Sequence, residues 1–142
     1  CDVNALATAA LYHDASEILT GDLPTPIKYH NAEIMSAYHA VEDLAVQKLL
    51  GMLPPELRET YAGVLAEDKN GDIYPLVKAA DKLSAYIKCI EERKAGNNEF
   101  LSAEAQTRAA LDASPLPEVQ YFLEHFIPAF ERDLDELGAI GQ

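Results

Sequence analysis

The sequence predicts an all-α protein, a bundle of about six helices, and two observations support this fold class. Apolar residues recur at spacings of three and four through most of the chain, and no stretch shows the alternation of period two that is typical of a strand. Proline and glycine interrupt the pattern and divide it into stretches of helix length. The chain has 142 residues, enough for a single core, so we expect residues 1–142 to form one domain.

The first helix is predicted over residues 3 to about 20. Its apolar stripe is continued by two polar side chains and consists of Val3, Leu6, Ala10, His13 and Glu17. Gly21 is expected to end this helix in the left-handed conformation. Pro24 and Pro26 cannot continue a helix, so residues 22–25 should form a stiff loop.

Asn31 is expected to cap a second helix that runs to Leu50 and is ended by Gly51. Further along, Pro54-Pro55 opens a third helix, because proline is well accommodated in the first turn of a helix. A polar turn that contains Asn70-Gly71 follows the third helix.

Pro75 begins the fourth predicted helix and Gly96 closes it, after which Asn97-Asn98 should cap a fifth. The sixth helix carries the strongest apolar face of the chain, over residues 119–137. Pro128 lies inside this helix and removes a backbone donor, so we expect a bend near residues 124–128.

Charge and cysteine content limit the possible partners. The formal net charge is −13, which argues against binding of long nucleic acids and leaves a small phosphate ester possible. The sequence contains no run of about 18 apolar residues, so it predicts no membrane-spanning helix. Cys1 and Cys89 are too few for a disulfide framework, so we expect a reduced, cytoplasmic protein in which Cys89 is an inert core thiol.

The most chemically suggestive residues lie in the first predicted helix. His13-Asp14 offers an imidazole and a carboxylate, donors that suit a divalent transition metal. Glu17 follows four residues after His13 and would share its helix face, either as a third ligand or as a proton carrier for an attacking water. An internal ion pair is the alternative explanation for polar groups on a core-facing stripe.

The run from Tyr12 to Pro26 resembles the HD-domain phosphohydrolases. Together with Lys88-Cys89, Glu91-Glu92 and the segment Ala95 to Phe100, it is similar to the bacterial HD-domain 5'-deoxynucleotidases. The resemblance extends over essentially the whole chain. It implies an HD-domain helical bundle that hydrolyses deoxyribonucleoside 5'-monophosphates, acts as a homodimer, and depends on a metal such as cobalt, manganese or zinc.

The resemblance also implies roles for individual residues. The metal ligands would be His13, Asp14 and, from its Val-Lys-Ala-Ala-Asp-Lys-Leu context, Asp81. From their positions in the sequence, and not from the resemblance, we expect Glu17 to orient or deprotonate the water and Asp22 to protonate the departing 5'-oxygen or contact the deoxyribose. The expected substrate-binding residues are Asp14, Asp22, Leu23, Pro24 and Thr25.

One feature of the family has no counterpart in this sequence. The family's first metal histidine and an Arg-Trp pair at the phosphate and sugar lie upstream of the His-Asp pair, and the chain starts at Cys1. We therefore expect that an N-terminal segment precedes these residues. His30 lies in the loop before the second predicted helix and is a weak candidate for a further ligand. His39 and His125 are expected at the surface.

Two other functions are compatible with the same residues. One is an HD phosphohydrolase that acts on nucleoside triphosphates or other small phosphates. The other is a helical interaction module that has lost catalysis, which a missing ligand histidine would explain. The joint presence of the histidine and four acidic candidates favours the enzyme.

Overall fold

The computed structural model describes residues 1–24, 27, 30–66 and 71–138 of the chain, and these residues are helical, without a strand. The helices in chain order are α1 (Val3–Tyr12), α2 (Glu17–Thr20), α3 (Ala32–Met52), α4 (Pro55–Leu65), α5 (Tyr74–Lys94), α6 (Leu101–Asp112), α7 (Pro117–His125), α8 (Ile127–Glu131) and α9 (Leu134–Gly138). They include all six predicted helices, with the first one divided in two and the sixth in three. The all-α prediction is therefore confirmed.

The chain falls into two compact units, residues 1–77 and 78–142. In the first unit, α1 is capped by Asp2, whose Oδ1 accepts hydrogen bonds from the backbone N–H groups of Asn4 (2.9 Å) and Ala5 (3.2 Å). The aromatic rings of Tyr12, at the end of α1, and Tyr61, on α4, meet edge to face with centroids 6.0 Å apart. This contact fixes the end of α1 against α4, just before His13.

The predicted continuous helix over residues 3–20 is wrong. α1 ends at Tyr12, and the next residues form tight turns in which the N–H of Glu17 donates to the carbonyl of Asp14 (2.9 Å) and that of Ala15 to Tyr12 (3.0 Å). These bonds span three residues instead of four, so the chain is wound more tightly than an α-helix. The predicted apolar stripe is also incomplete, because Val3 at its start is 71% exposed.

The prediction for the start of α3 is confirmed, and the prediction for its end is wrong. The Asn31 side chain accepts the N–H of Ile34 at 2.8 Å, as an N-cap residue does. Gly51 does not end the helix, which continues to Met52. Arg58 of α4 donates to the carbonyls of Gly51 (3.2 Å) and Leu53 (2.9 Å), where a cation is also favoured by the helix dipole.

The second unit has a well-defined apolar core. Its buried residues come from α5, α6, α7 and α8, and they are Leu83, Tyr86, Ile90, Leu111, Val119, Leu123 and Ile127. Arg93 on α5 donates to Glu104 on α6 (3.0 Å) and to Glu131 on α8 (2.8 Å), and these acceptors raise its pKa above the ordinary value. Lys94 donates to the carbonyls of Phe130 and Arg132 at the end of α8. The core and these bonds hold α5 in a fixed position within the unit.

The helix ends in this unit test three further predictions. Gly96 has φ +86° and closes α5 as expected. The predicted cap at Asn97-Asn98 is wrong, because α6 begins at Leu101 after Phe100, and Asn97 instead donates to Glu92 (2.9 Å). The bend expected from Pro128 is confirmed, since the helix is interrupted at Phe126. Among the described residues, no helix has both the length and the apolar character that a membrane span requires.

Candidate active site

The imidazole of His13 is held in a defined orientation at the end of α1. Its Nδ1 lies 2.8 Å from the carbonyl oxygen of Ala10, one turn back on the same helix. A carbonyl can only accept, so Nδ1 carries the hydrogen and Nε2 keeps its lone pair in the neutral ring. The side chain is 16% exposed. This is the tautomer in which a histidine binds a metal through Nε2 while a backbone oxygen orients the ring.

The carboxylate of Asp14 lies beside this lone pair. Asp14 Oδ2 is 3.1 Å from His13 Nε2. Two acceptor atoms at that distance repel each other unless a proton or a cation lies between them. Two donor atoms about 2.1 Å from one ion and at right angles to each other are about 3.0 Å apart. The His13–Asp14 pair therefore fits a divalent cation as well as an imidazolium–carboxylate pair.

Glu17 occupies the first position of α2, after the tight turn, and its side chain is half-buried. The structure does not provide the α-helical register that we expected to align it with His13. When hydrogen bonds span three residues, side chains three positions apart lie on the same side of the turn. The residue three positions after His13 is Ser16. Ser16 is a buried polar residue, 8% exposed, to which the sequence analysis assigned no role. The spacing of three could have identified it if the turn had been recognised.

The loop after α2 begins with the predicted glycine. Gly21 has φ +70° and ψ 161°, so it adopts the positive φ that favours glycine but not the left-handed helical conformation that we expected. Its N–H donates to Glu17 (2.9 Å), and its carbonyl accepts the hydroxyl of Tyr38, on α3, at 3.3 Å. No pattern in the sequence predicts this contact, because Tyr38 and Gly21 are 17 residues apart.

The substrate-binding residues expected in this loop are only partly described. Asp22 and Pro24 are exposed, and Leu23 is half-buried. Thr25 lies outside the described residues. The carbonyl of Pro24 accepts the N–H of Ile27 at 2.8 Å. The side chain of Asp22 is therefore accessible to solvent.

The other candidate ligands differ in their exposure. Asp81 is exposed on α5, in the second unit, four residues after Val77. His30 is exposed in the segment before α3. His39 is half-buried and its Nδ1 lies 2.8 Å from Glu42 Oε2, whereas His125 is exposed as expected.

A cavity of about 390 Å³ lies in the first unit, next to His13. Its walls come from α1, from the C-terminal end of α4 and from the N-terminal end of α5. The lining residues include Ala9, His13, Gly63, Tyr74 and Val77. Small residues on α1 and α4 leave this space open, and His13 borders it. The cavity is large enough for a small molecule, and His13 is one of its lining residues.

Sequence and structure comparisons identify the family. The model of the family described as 5'-deoxynucleotidase YfbR-like matches residues 1–130. The 5'-deoxynucleotidase YfbR of Shigella flexneri serotype 5b is 52% identical over 140 residues, which cover 96% of this chain and 70% of that protein. The protein of the same name from Escherichia coli strain Crooks is 51% identical, with the same coverage.

A solved structure shows the same fold. The crystal structure of an HD-domain phosphohydrolase from Listeria innocua superposes with a TM-score of 0.75 and 26% sequence identity. The match covers 92% of this chain and 64% of that one. The chain thus spans 70% of the length of the curated relatives and 64% of the structural one. The predicted resemblance is confirmed: the chain belongs to the YfbR-like 5'-deoxynucleotidase family and has the HD-domain fold.

Proposed function

We propose that this protein hydrolyses the phosphate of deoxyribonucleoside 5'-monophosphates with a divalent transition metal held at His13. The observation that carries this proposal is the orientation of His13, whose Nδ1–H is bound to Ala10 while Nε2 lies 3.1 Å from Asp14. An acidic residue beside a fixed imidazole lone pair is a donor set for a cation. The resemblance to the HD-domain phosphohydrolases implies dependence on a metal ion, and the relatives reported above are named 5'-deoxynucleotidases.

Asp81 is proposed as the third ligand. His13, Asp14 and Asp81 together offer one nitrogen and two carboxylate donors, a group that could hold a metal ion. Val77 lines the cavity beside His13, and Asp81 follows it by one helical turn on α5, so both residues lie on one face of that helix. A divalent ion bound by these residues would neutralise phosphate oxygens and acidify an attacking water.

Two acidic residues are proposed to move protons. Glu17, at the start of α2, accepts a proton from the water that attacks phosphorus. Asp22, in the exposed loop, donates a proton to the 5'-oxygen as the P–O bond breaks, or contacts the deoxyribose. The products are a deoxyribonucleoside and inorganic phosphate, so no further reactant is needed. Leu23, Pro24 and Thr25 complete the sugar contact.

The properties of the chain support a small substrate and a reduced environment. At a net charge of −13, attraction must come from the local site, which suits one phosphate better than a polymer. The two cysteines are free, which supports a cytoplasmic location. Phe126 exposes aromatic surface on the second unit, which supports a homodimer.

Metal content and substrate profile test the function. Purified protein should contain about one divalent metal per chain and release phosphate from dCMP, dTMP or dAMP faster than from CMP. His13→Gln should lose the metal and at least about a hundred-fold in kcat/KM, whereas His125→Gln, at an exposed position, should keep both. Full metal content in His13→Gln would refute the assigned ligand.

The rival functions give different results in the same assays. An HD phosphohydrolase for triphosphates would release triphosphate or pyrophosphate from dCTP and leave dCMP unchanged. A non-catalytic module would turn over neither nucleotide.

Glu17→Gln should keep the metal and lower kcat by about a hundred-fold or more. Normal turnover with metal bound would exclude Glu17 as the proton carrier.

A further inference from the structure

A hydrogen bond from α3 holds the loop that carries Asp22. The hydroxyl of Tyr38 donates to the carbonyl oxygen of Gly21 at 3.3 Å, across a separation of 17 residues. The hydroxyl of Thr20 donates to the same oxygen at 2.9 Å. The N–H of Gly21 donates to the carbonyl of Glu17 at 2.9 Å. Both backbone polar groups of Gly21 are therefore bound.

The Gly21 carbonyl controls where Asp22 lies. A peptide group is planar, so the carbonyl oxygen of Gly21 and the Cα of Asp22 lie in one plane. Gly21 can rotate more freely than other residues because it has no side chain, and a Cβ built on it would meet nothing within 4 Å. The hydrogen bonds to its N–H group and its carbonyl oxygen therefore help to fix this rotation.

Tyr38 is well suited to supply such a fixed point. It lies on α3, a helix of 21 residues, and its side chain is half-buried. A tyrosine has only two rotatable side-chain bonds before its ring, so its hydroxyl is held more closely than that of a long flexible side chain. The position of α3 is thus transmitted to the peptide before Asp22.

We propose that Tyr38 is a positioning residue that sets Asp22 against the sugar end of the substrate. This inference rests on the proposed function and assigns to α3 a part in substrate discrimination. Tyr38 does not touch the substrate, and it acts through the Gly21–Asp22 peptide. Loss of its hydroxyl should weaken the contact with the sugar and leave the metal and the phosphate contacts unchanged.

Tyr38→Phe tests the proposal, because it removes the hydroxyl and keeps the ring. The kcat/KM for dCMP should fall about five-fold, the worth of one hydrogen bond, mainly through KM. Hydrolysis of p-nitrophenyl phosphate, which has no sugar, should not change. Tyr121→Phe, at an exposed position of the second unit, is the matched control and should resemble the wild type. Equal losses on both substrates would refute a role confined to the sugar.

A double-mutant cycle tests the route through Asp22. If Tyr38 acts by placing Asp22, Tyr38→Phe should add nothing to the loss of kcat/KM in Asp22→Asn. Independent, multiplying losses would contradict the proposal. Thr20→Val removes the other donor to Gly21 and should change KM in the same direction as Tyr38→Phe.

Hydrogen exchange gives a readout that does not depend on activity. In Tyr38→Phe, the backbone amide of Gly21, which donates to Glu17, should exchange about five-fold faster than in the wild type and in Tyr121→Phe. Unchanged exchange would overturn the proposal even if the protein is an active nucleotidase. Faster exchange in a protein without deoxynucleotidase activity would refute the proposed function and still show that Tyr38 fixes the loop.

Discussion

Leu111→Ala should strongly destabilise the second unit. Leu111 is 1% exposed and packs in the core that also holds Leu83, Tyr86 and Ile90 of α5, the helix that carries Asp81. The substitution removes three buried carbons, at about 0.8 kcal/mol each, or about 2.4 kcal/mol. A residual cavity of roughly 60 Å³ adds about 1.4 kcal/mol at 24 cal/mol per Å³, which gives a total near 4 kcal/mol.

Leu101→Ala is a matched control on the same helix. Leu101 is 46% exposed at the start of α6, so the same chemical change should cost no more than about 1 kcal/mol and leave no closed cavity. The free energy of unfolding is measured for both variants by urea titration, with far-UV circular dichroism as the signal. A difference between the variants below about 1 kcal/mol would refute the view that this core determines the stability of the unit.

Two further predictions concern a helix cap and a thiol. Asn31→Ala removes the acceptor for the N–H of Ile34 and should lower the free energy of unfolding by about 1 kcal/mol. Asn31→Asp keeps an acceptor and should retain most of the wild-type stability. An unchanged urea midpoint in Asn31→Ala would contradict the role of Asn31 as a cap. Burial, together with the charges of Glu104 and Glu92, raises the pKa of the Cys89 thiol, so its alkylation by iodoacetamide should need a higher pH than that of exposed Cys1. Mass spectrometry of the two cysteine peptides across a pH series measures this, and equal rates at neutral pH would count against it.

The local features of the fold were predictable because each depends on a few neighbouring residues. Asn31 caps α3 through a hydrogen bond to a residue three positions on. Gly21 and Gly96 end helices because they adopt positive φ angles at little cost. The interruption at Phe126 follows from Pro128, which lacks an N–H group two residues later.

The errors arose at helix ends that the local sequence signals did not mark correctly. Gly51 was expected to end α3, but Arg58 of the next helix binds the last carbonyls and the helix continues past it. The first helix was expected to continue through His13, and no proline or glycine in the sequence marks the point where it stops. The tight turn after Tyr12 changed the register of Glu17 with respect to His13.

The sequence by itself determined the helical class, most helix ends and the family, because periodicity, caps and an extended motif are all encoded in neighbouring residues. It also supplied the acidic and imidazole donors that make a metal site chemically reasonable. Only the tertiary structure decided which nitrogen of His13 faces Asp14 and which residue of α3 holds the Gly21 carbonyl. These features depend on distances between atoms and on hydrogen-bond directions, which residue identities do not specify.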